Sequence, residues 1–163
     1  ITGLWFLQRL MEEWRDEGDE QQYDPLLAAA DRSPIKSIIP VDAPEFQNPK
    51  SMQQAICDYC KSHGMEVPQS KGDTTRVVLQ SLAAKYAEAT HALNAMLPSP
   101  IKTLHIIGGG SQNKLLNRLT QEALGIPVEA GPVEATAIGN ILTQALAKGE
   151  VSDINEMRSI TIN

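Results

Sequence analysis

Hydrophobic residues recur every three or four positions along most of the chain, the spacing typical of amphipathic α-helices. The first such stripe predicts a helix over residues 4–14. A second, short helix is predicted to begin at Asp24, as the N-cap before Pro25, and to end before Ser33. Residues 34–50 contain four prolines, which indicates an extended connector with room for a short edge strand.

The middle of the chain is predicted to hold two further helices. Ser51 opens a capping-box pattern, and the helix that follows is expected to end near Ser62, with Gly64 after it. Asp73 is the predicted N-cap of the longest helix, over residues 74–97, whose apolar stripe continues to Met96 or Leu97. Prolines then end the helical pattern.

After residue 103 the pattern changes from helical to alternating elements. Two short apolar runs, Leu104–Ile107 and 127–130, have the length of strands. Helices are predicted after each of them, over 113–123 with Ser111 as the cap and over 133–147. This order of elements favours a parallel strand pair with a right-handed crossover, within an α/β fold that is otherwise rich in helix. A last short helix is expected after Asp153.

The turn at Gly108, Gly109 and Gly110 carries the most specific chemistry in the sequence. Glycine allows positive φ and a close approach of the backbone to a ligand, and the helix that follows offers unpaired N–H groups to an anion or nucleotide. The spacing matches neither a P-loop nor a G-x-G-x-x-G fingerprint. Two interpretations of these glycines therefore remain open: a ligand-binding loop, and a tight strand–helix turn in which Ser111 is only a cap. Asn113, one turn into the helix, is expected to face solvent or a base.

Composition narrows the class of protein. The 163 residues carry a formal net charge of −6 without a basic stripe, which disfavours nucleic acid as a partner. No apolar run approaches the length that crosses a membrane, and no leader-like segment precedes the first helix, so we expect a cytoplasmic protein. Because the sequence opens inside a helical pattern, we interpret it as part of a longer protein.

The two cysteines, Cys57 and Cys60, form a C-x-x-C pattern inside a predicted helix. A zinc site requires two further ligands at suitable spacing, and only His63 lies near. We therefore expect reduced, metal-free cysteines and no metal site.

A longer pattern resembles a known family. The string from Gly108 to Asn117, the Leu124–Val128 run and the Gly131–Asn140 string together resemble the C-terminal part of the FGGY carbohydrate kinases. The resemblance implies a partial ribonuclease-H-like, actin-like ATPase domain over residues 1–163, without the N-terminal domain. The segment Gly3–Gln8 and the Asp42-x-x-x-Phe46-x-Asn48-Pro49 pattern favour the members of that family that act on L-rhamnulose.

The same resemblance implies an ATP site in this chain. It places Gly108, Gly109, Gly110 and Ser111 near the nucleotide, with Asn113 on the adenine side and Gln8 on the nucleotide side of the cleft. The small residues of the last long helix, Ala135, Ala137 and Gly139, are expected to pack closely near that cleft. Arg32 stands where many relatives carry a Gly-Glu-Arg-Thr-Pro-like string, and we expect a surface ion pair there.

For the parent enzyme, the resemblance implies transfer of the ATP γ-phosphoryl group, with Mg²⁺, to the 1-hydroxyl of the ketose L-rhamnulose. The family's catalytic Asp matches no segment here, so the base is expected in the missing N-terminal part and this chain alone is expected to be inactive. Two alternatives remain: a kinase of the same family acting on xylulose, fuculose or glycerol, and a non-catalytic actin-like nucleotide-binding module.

Overall fold

The computed structural model describes residues 3–162, which form a helical core followed by a short strand–helix–strand–helix unit. The helices of the core are α1 (Trp5–Asp16), α2 (Tyr23–Arg32), α3 (Met52–Ser62) and α4 (Lys71–Asn94). The second half contains β1 (Leu104–Ile106), α5 (Lys114–Leu124), β2 (Val128–Ala130), α6 (Ala135–Lys148) and α7 (Ile154–Ile162). Single 3₁₀ turns cover Pro44–Phe46 and Gly109–Gln112.

Helix α4 is the centre of the structure, because α2 packs on one side of it and α5 on another. Its buried residues at helical spacing, including Val77, Val78 and Leu82, face a continuous apolar core. Helix α1 adds Phe6, Leu10 and Trp14, all fully buried, and packs against α3. The aliphatic character of this core follows from the low aromatic content of the chain.

The predicted α/β character is confirmed by two short strands that pair in parallel. Leu104 lies opposite Val128 and Ile106 opposite Ala130, and α5 connects the two strands. The carboxyl ends of the strands are tied together, since Gly131 N–H donates to Ile106 O at 2.8 Å and Gly108 N–H to Pro132 O at 3.1 Å. The glycine turn is thereby held at the edge where both strands end.

The connector between α2 and α3 is extended but pairs with no strand in the part of the chain described. Ile35, Ser37, Ile39 and Val41 are buried while the residues between them are exposed, an alternation normal for a strand. Side chains of α4 satisfy its backbone instead. Gln80 Nε2 donates to Ser37 O at 2.6 Å, and Ser81 Oγ accepts from Ile39 N–H at 2.9 Å.

Two helix starts differ from their predicted positions. Helix α2 begins one residue before Asp24, with Gln22 as its N-cap, so Asp24 lies in the first turn. Helix α4 begins after Ser70, whose Oγ accepts from Asp73 N–H at 3.1 Å, so Asp73 is not the cap. Asp73 instead accepts a hydrogen bond from Ser33 Oγ at 2.5 Å, a partner 40 residues away that local patterns do not reveal.

The end of α4 is also earlier than predicted. The helix ends at Asn94, and Leu93, Met96 and Leu97 are exposed rather than part of the core stripe. By contrast, the predicted Ser51 cap of α3 is confirmed, since Ser51 Oγ accepts from Gln54 N–H at 3.0 Å. The left-handed glycines Gly64, Gly125 and Gly149 follow α3, α5 and α6 as predicted.

Candidate functional site

The glycine turn has an unusual backbone at its first residue. Gly108 has φ 80° and ψ −171°, a region that is nearly restricted to glycine. Gly109 does not have positive φ, so the conformational freedom of glycine is used at Gly108 and not at Gly109. The backbone requires glycine at 108, whereas neither the backbone nor a neighbouring atom of the described chain requires it at 109.

Open space surrounds the second and third glycines. No atom of the described chain lies within 4 Å of a Cβ built on Gly109, and only Leu4 Cδ1, at 3.8 Å, lies near one built on Gly110. Any side chain at either position would project into this space.

A cavity of about 370 Å³ lies beside the turn, and Gly109 and Gly110 are among its lining residues. Helix α1 and its N-cap supply one wall, through Leu4, Leu7, Gln8 and Met11. The turn and α2 supply the others, through Gly109, Gly110, Gln112 and Tyr23. The size falls within the range of small-molecule sites, and no lining residue carries a charge. Such a cavity can bind a neutral, partly apolar group, and it contains no side chain able to act as a general base near neutral pH.

Three of the predicted nucleotide residues, Gln8, Gly109 and Gly110, meet at this cavity although Gln8 is far from them in sequence. Gln8 is exposed on the face of α1 that looks onto the cavity. The nucleotide-binding role of all six predicted residues stays a prediction.

Two other predicted residues, Ser111 and Asn113, stabilise the turn through hydrogen bonds. Ser111 is buried and donates through Oγ to Gly108 O at 2.8 Å, so the expectation that it caps α5 is wrong. Asn113 is the cap, because its Oδ1 accepts from Leu116 N–H at 2.9 Å. Its amide nitrogen donates to the Tyr23 hydroxyl at 2.9 Å, and the residue is 1% exposed, so the side chain faces neither solvent nor the cavity.

Sequence reasoning missed Tyr23, Gln112 and the apolar wall of α1. Leu4, Leu7 and Met11 follow helical spacing, but that spacing cannot separate a core face from a cavity wall. Tyr23 gave no signal, since a single tyrosine at a helix start has no characteristic pattern. Burial raises the pKa of Tyr23, and the hydrogen bond from Asn113 opposes this rise. The phenol is therefore protonated at neutral pH.

A surface ion pair was expected at Arg32. Arg32 is exposed, and the ion pairs described in this region belong to the adjacent Asp31. Asp31 pairs with Arg118, and more distantly with Arg76 at 3.9 Å. The hydrogen bond from Arg118 is the main cause of the lowered pKa of Asp31. These contacts join α2, α4 and α5 at the surface.

Helix α6 does not contribute to this cavity. Leu142 is its buried residue, and no described atom lies within 4 Å of a Cβ built on Gly139. The close packing expected around Gly139 is therefore not found among residues 3–162.

Two other features bear on possible ligands. A cavity of about 420 Å³ lies beside Trp5, Asp42 and Gln47, but the glycine turn does not line it. Cys57 and Cys60 are free thiols, and Cys60 is fully buried. Among residues 3–162 no group of three or more His, Cys, Asp or Glu side chains could hold a metal ion. None of the described helices is long and apolar enough to cross a membrane.

Comparison with known proteins gives a consistent assignment. Residues 1–148 match the C-terminal domain of the FGGY family of carbohydrate kinases. The chain is 45% identical to a rhamnulokinase of Bacteroides thetaiotaomicron over 161 residues, which are 98% of this chain and 32% of the relative. It is 43% identical to a rhamnulokinase of Pectobacterium atrosepticum over 97% of this chain and 31% of the relative. For a rhamnulokinase of Yersinia pestis the identity is 38%, over 100% of this chain and 33% of the relative.

The chain thus spans about a third of the length of the curated relatives it matches. The match extends from α1 to α6 and includes both the glycine turn and the wall of α1 that faces it. The chain belongs to the FGGY family of carbohydrate kinases, where it corresponds to the C-terminal domain.

Proposed function

We propose that this chain is the C-terminal, nucleotide-binding portion of a sugar kinase that phosphorylates L-rhamnulose. The full-length protein would transfer the γ-phosphoryl group of ATP to the 1-hydroxyl of L-rhamnulose, giving L-rhamnulose 1-phosphate in rhamnose catabolism. The observation that carries the ATP site is the uncharged cavity where Gln8 meets Gly109 and Gly110. The sugar is proposed from the relatives, which are named rhamnulokinases.

In this proposal the cavity holds the nucleoside end of ATP. Its walls are apolar or neutral, which suits a base and ribose better than a triphosphate. No described hydrogen bond of the turn within residues 3–162 uses the N–H groups of Gly109 or Gly110. These groups would bind an oxygen of the ligand at the start of the turn.

The chemical step is assigned to the parent protein as a whole. Phosphoryl transfer requires positioning, neutralisation of charge and a carboxylate that accepts the hydroxyl proton. This chain supplies the positioning of ATP. The base belongs to the N-terminal part, and that part and this chain would together form the ribonuclease-H-like fold and close around both substrates.

Mg²⁺ would accompany ATP in such a reaction, but the described residues do not fit a magnesium site of their own. No cluster of three acidic or other ligating side chains is found among residues 3–162, and no charged side chain lines the cavity. We therefore derive no step of the reaction through the metal from this chain.

The test is a coupled ADP-release assay on the full-length protein with a panel of acceptors. L-rhamnulose should give the highest kcat/KM, above xylulose, fuculose and glycerol. A higher kcat/KM for one of the others would replace the proposed sugar but keep the kinase. ATP binding without turnover on any acceptor would favour a non-catalytic nucleotide-binding module.

A further inference from the structure

Tyr23 occupies a position that the proposed nucleotide site does not yet explain. Its side chain lines the cavity at the glycine turn and also a second cavity of about 360 Å³, between α2 and α5. Gln112 is the other residue shared by both cavities. Tyr23 therefore forms part of the wall between them, and the residue is 39% exposed.

The hydroxyl of Tyr23 is connected to the turn through Asn113. Asn113 Nδ2 donates to the phenol oxygen at 2.9 Å, while Asn113 Oδ1 caps α5. The backbone N–H of Asn113 in turn donates to Gly110 O at 3.1 Å. One buried amide thus joins α2, the start of α5 and the last glycine of the turn.

The directions of these hydrogen bonds leave the Tyr23 hydroxyl group able to donate a hydrogen bond of its own. Because the Tyr23 oxygen accepts from Asn113, its own hydrogen points away from Asn113. An aromatic ring with a polar tip at the edge of a cavity is well suited to contact a flat, partly polar group such as a nucleoside.

We propose that Tyr23 is a positioning residue for the nucleotide, holding Asn113 and the glycine turn through its hydroxyl and bounding the nucleoside cavity with its ring. This inference rests on the proposed function, because it concerns the same ATP site. Loss of the Tyr23 hydroxyl group should weaken ATP binding, and loss of the ring as well should weaken it further. Sugar binding should change little in either case.

The experiment uses the full-length protein with Tyr23→Phe, Tyr23→Ala and Asn113→Ser. Tyr23→Phe keeps the ring and should raise KM for ATP about three- to tenfold, the value of one hydrogen bond. Tyr23→Ala should raise it further. Asn113→Ser keeps a capping oxygen for α5 but cannot reach Tyr23, so it should match Tyr23→Phe, and the double variant should be no worse than either single variant.

KM for the sugar and the melting temperature separate positioning from general stability. KM for the sugar should stay near wild type in Tyr23→Phe, and the melting temperature should fall by no more than the loss of one hydrogen bond to the buried Asn113 explains. Tyr86→Phe is the matched control, since Tyr86 is a half-buried tyrosine of α4 that does not line either cavity. A wild-type KM for ATP in Tyr23→Phe, or equal increases for ATP and sugar, would overturn the role of Tyr23 while the kinase proposal stands. Loss of ATP-dependent turnover from the wild-type protein itself would overturn the proposed function instead.

Discussion

At the scale of single residues, the three glycines of the turn meet different physical requirements. Gly108 is needed for its backbone conformation, and substitution there strains the chain whatever the surroundings. Gly109 has ordinary φ and no described atom within 4 Å of an added Cβ. Substitution at 109 therefore tests the space for a ligand, with little disturbance of the folded backbone.

We expect Gly109→Val in the full-length protein to raise the KM or Kd for ATP, with far less effect on sugar affinity. A branched side chain would project into the cavity, and a loss of ~2.7 kcal/mol of binding corresponds to about a hundredfold in Kd. Kinetics with varied ATP and thermal melts with and without ATP provide the measurement. Gly139→Val is the matched substitution, since Gly139 also has no described neighbour and lies away from the cavity. Wild-type ATP affinity in Gly109→Val would show that the turn only connects the strand to the helix and does not bind the nucleotide.

Gly72 meets the opposite requirement, because it lies where α4 crosses α2. A Cβ there would be 3.0 Å from Ala29 Cβ and 3.1 Å from the Ala29 carbonyl carbon. Backbone atoms cannot yield as a flexible side chain can. Gly72→Ala should lower the free energy of unfolding of this chain by about 1–3 kcal/mol, the usual cost of overpacking.

Chemical denaturation measures this loss, with Gly139→Ala as the control in the same chain. Gly139 lies inside α6 with open space around it, so alanine there should stabilise by up to ~1 kcal/mol through helix propensity. A stability of Gly72→Ala equal to that of Gly139→Ala would show that the two helices can move apart at no cost.

At the scale of secondary-structure elements, the starts of α3 and α4 have local serine caps and are also contacted by side chains from other parts of the chain. Glu13 of α1 accepts from Met52 N–H at 2.6 Å at the start of α3, an acidic group where the helix dipole favours one. At the start of α4, Asp73 accepts from Ser33 Oγ and, through its second oxygen, from Gln69 N–H at 3.2 Å. These contacts tie neighbouring elements together at their ends.

Asp73 should make this chain more stable at neutral than at acidic pH. The hydrogen bond from Ser33 is the main cause that lowers the pKa of its carboxyl group. A lowered folded-state pKa stabilises the fold above the unfolded value, near 4, and this stabilisation is lost as pH falls through the folded pKa. Asp73→Asn should therefore lose less stability than wild type between about pH 5 and pH 2.

Urea unfolding at pH 7 and at low pH measures this difference. Ser33→Ala removes the main hydrogen bond without removing the carboxyl group, and it should reduce the same pH-dependent difference. Identical pH dependence in Asp73→Asn and wild type would show that Asp73 titrates alike in both states. Asp31 and Glu156 also have lowered pKa values and contribute to the loss of stability at low pH. The test is therefore the difference in pH dependence between each variant and wild type.

At the scale of the whole molecule, the proposed function assigns ATP binding to this chain and the catalytic base to the N-terminal part. The cavity has no charged lining residue, and the chain spans about a third of its relatives. This chain alone should show no ATP-dependent phosphorylation of L-rhamnulose. A coupled ADP-release assay, with the full-length protein as the positive control, tests this expectation. Sugar-dependent turnover by this chain would show that a catalytic base lies within it.

Much of the local structure could be predicted from sequence. The existence of α1, α3, α5, α6 and both strands follows from periodicity and from turn residues that act within a few positions. The same holds for the Ser51 cap and for the glycines after the helices. At the start of α4 a local signal does exist, since Ser70 lies three residues before Asp73, the spacing of a capping box, and Asp73 as the predicted cap is wrong. The bond from Ser33 to Asp73, by contrast, lies outside any short window of sequence.

The tertiary structure decided which residues share the site. The sequence by itself determined the family pattern and the glycine turn, because glycine, strand and helix preferences act over neighbouring positions. Only the packing of α1 and α2 beside the turn brought Gln8 and Tyr23 to Gly109. It also made Asn113, and not Ser111, the cap of α5, since burial in three dimensions determines which polar atoms must find partners.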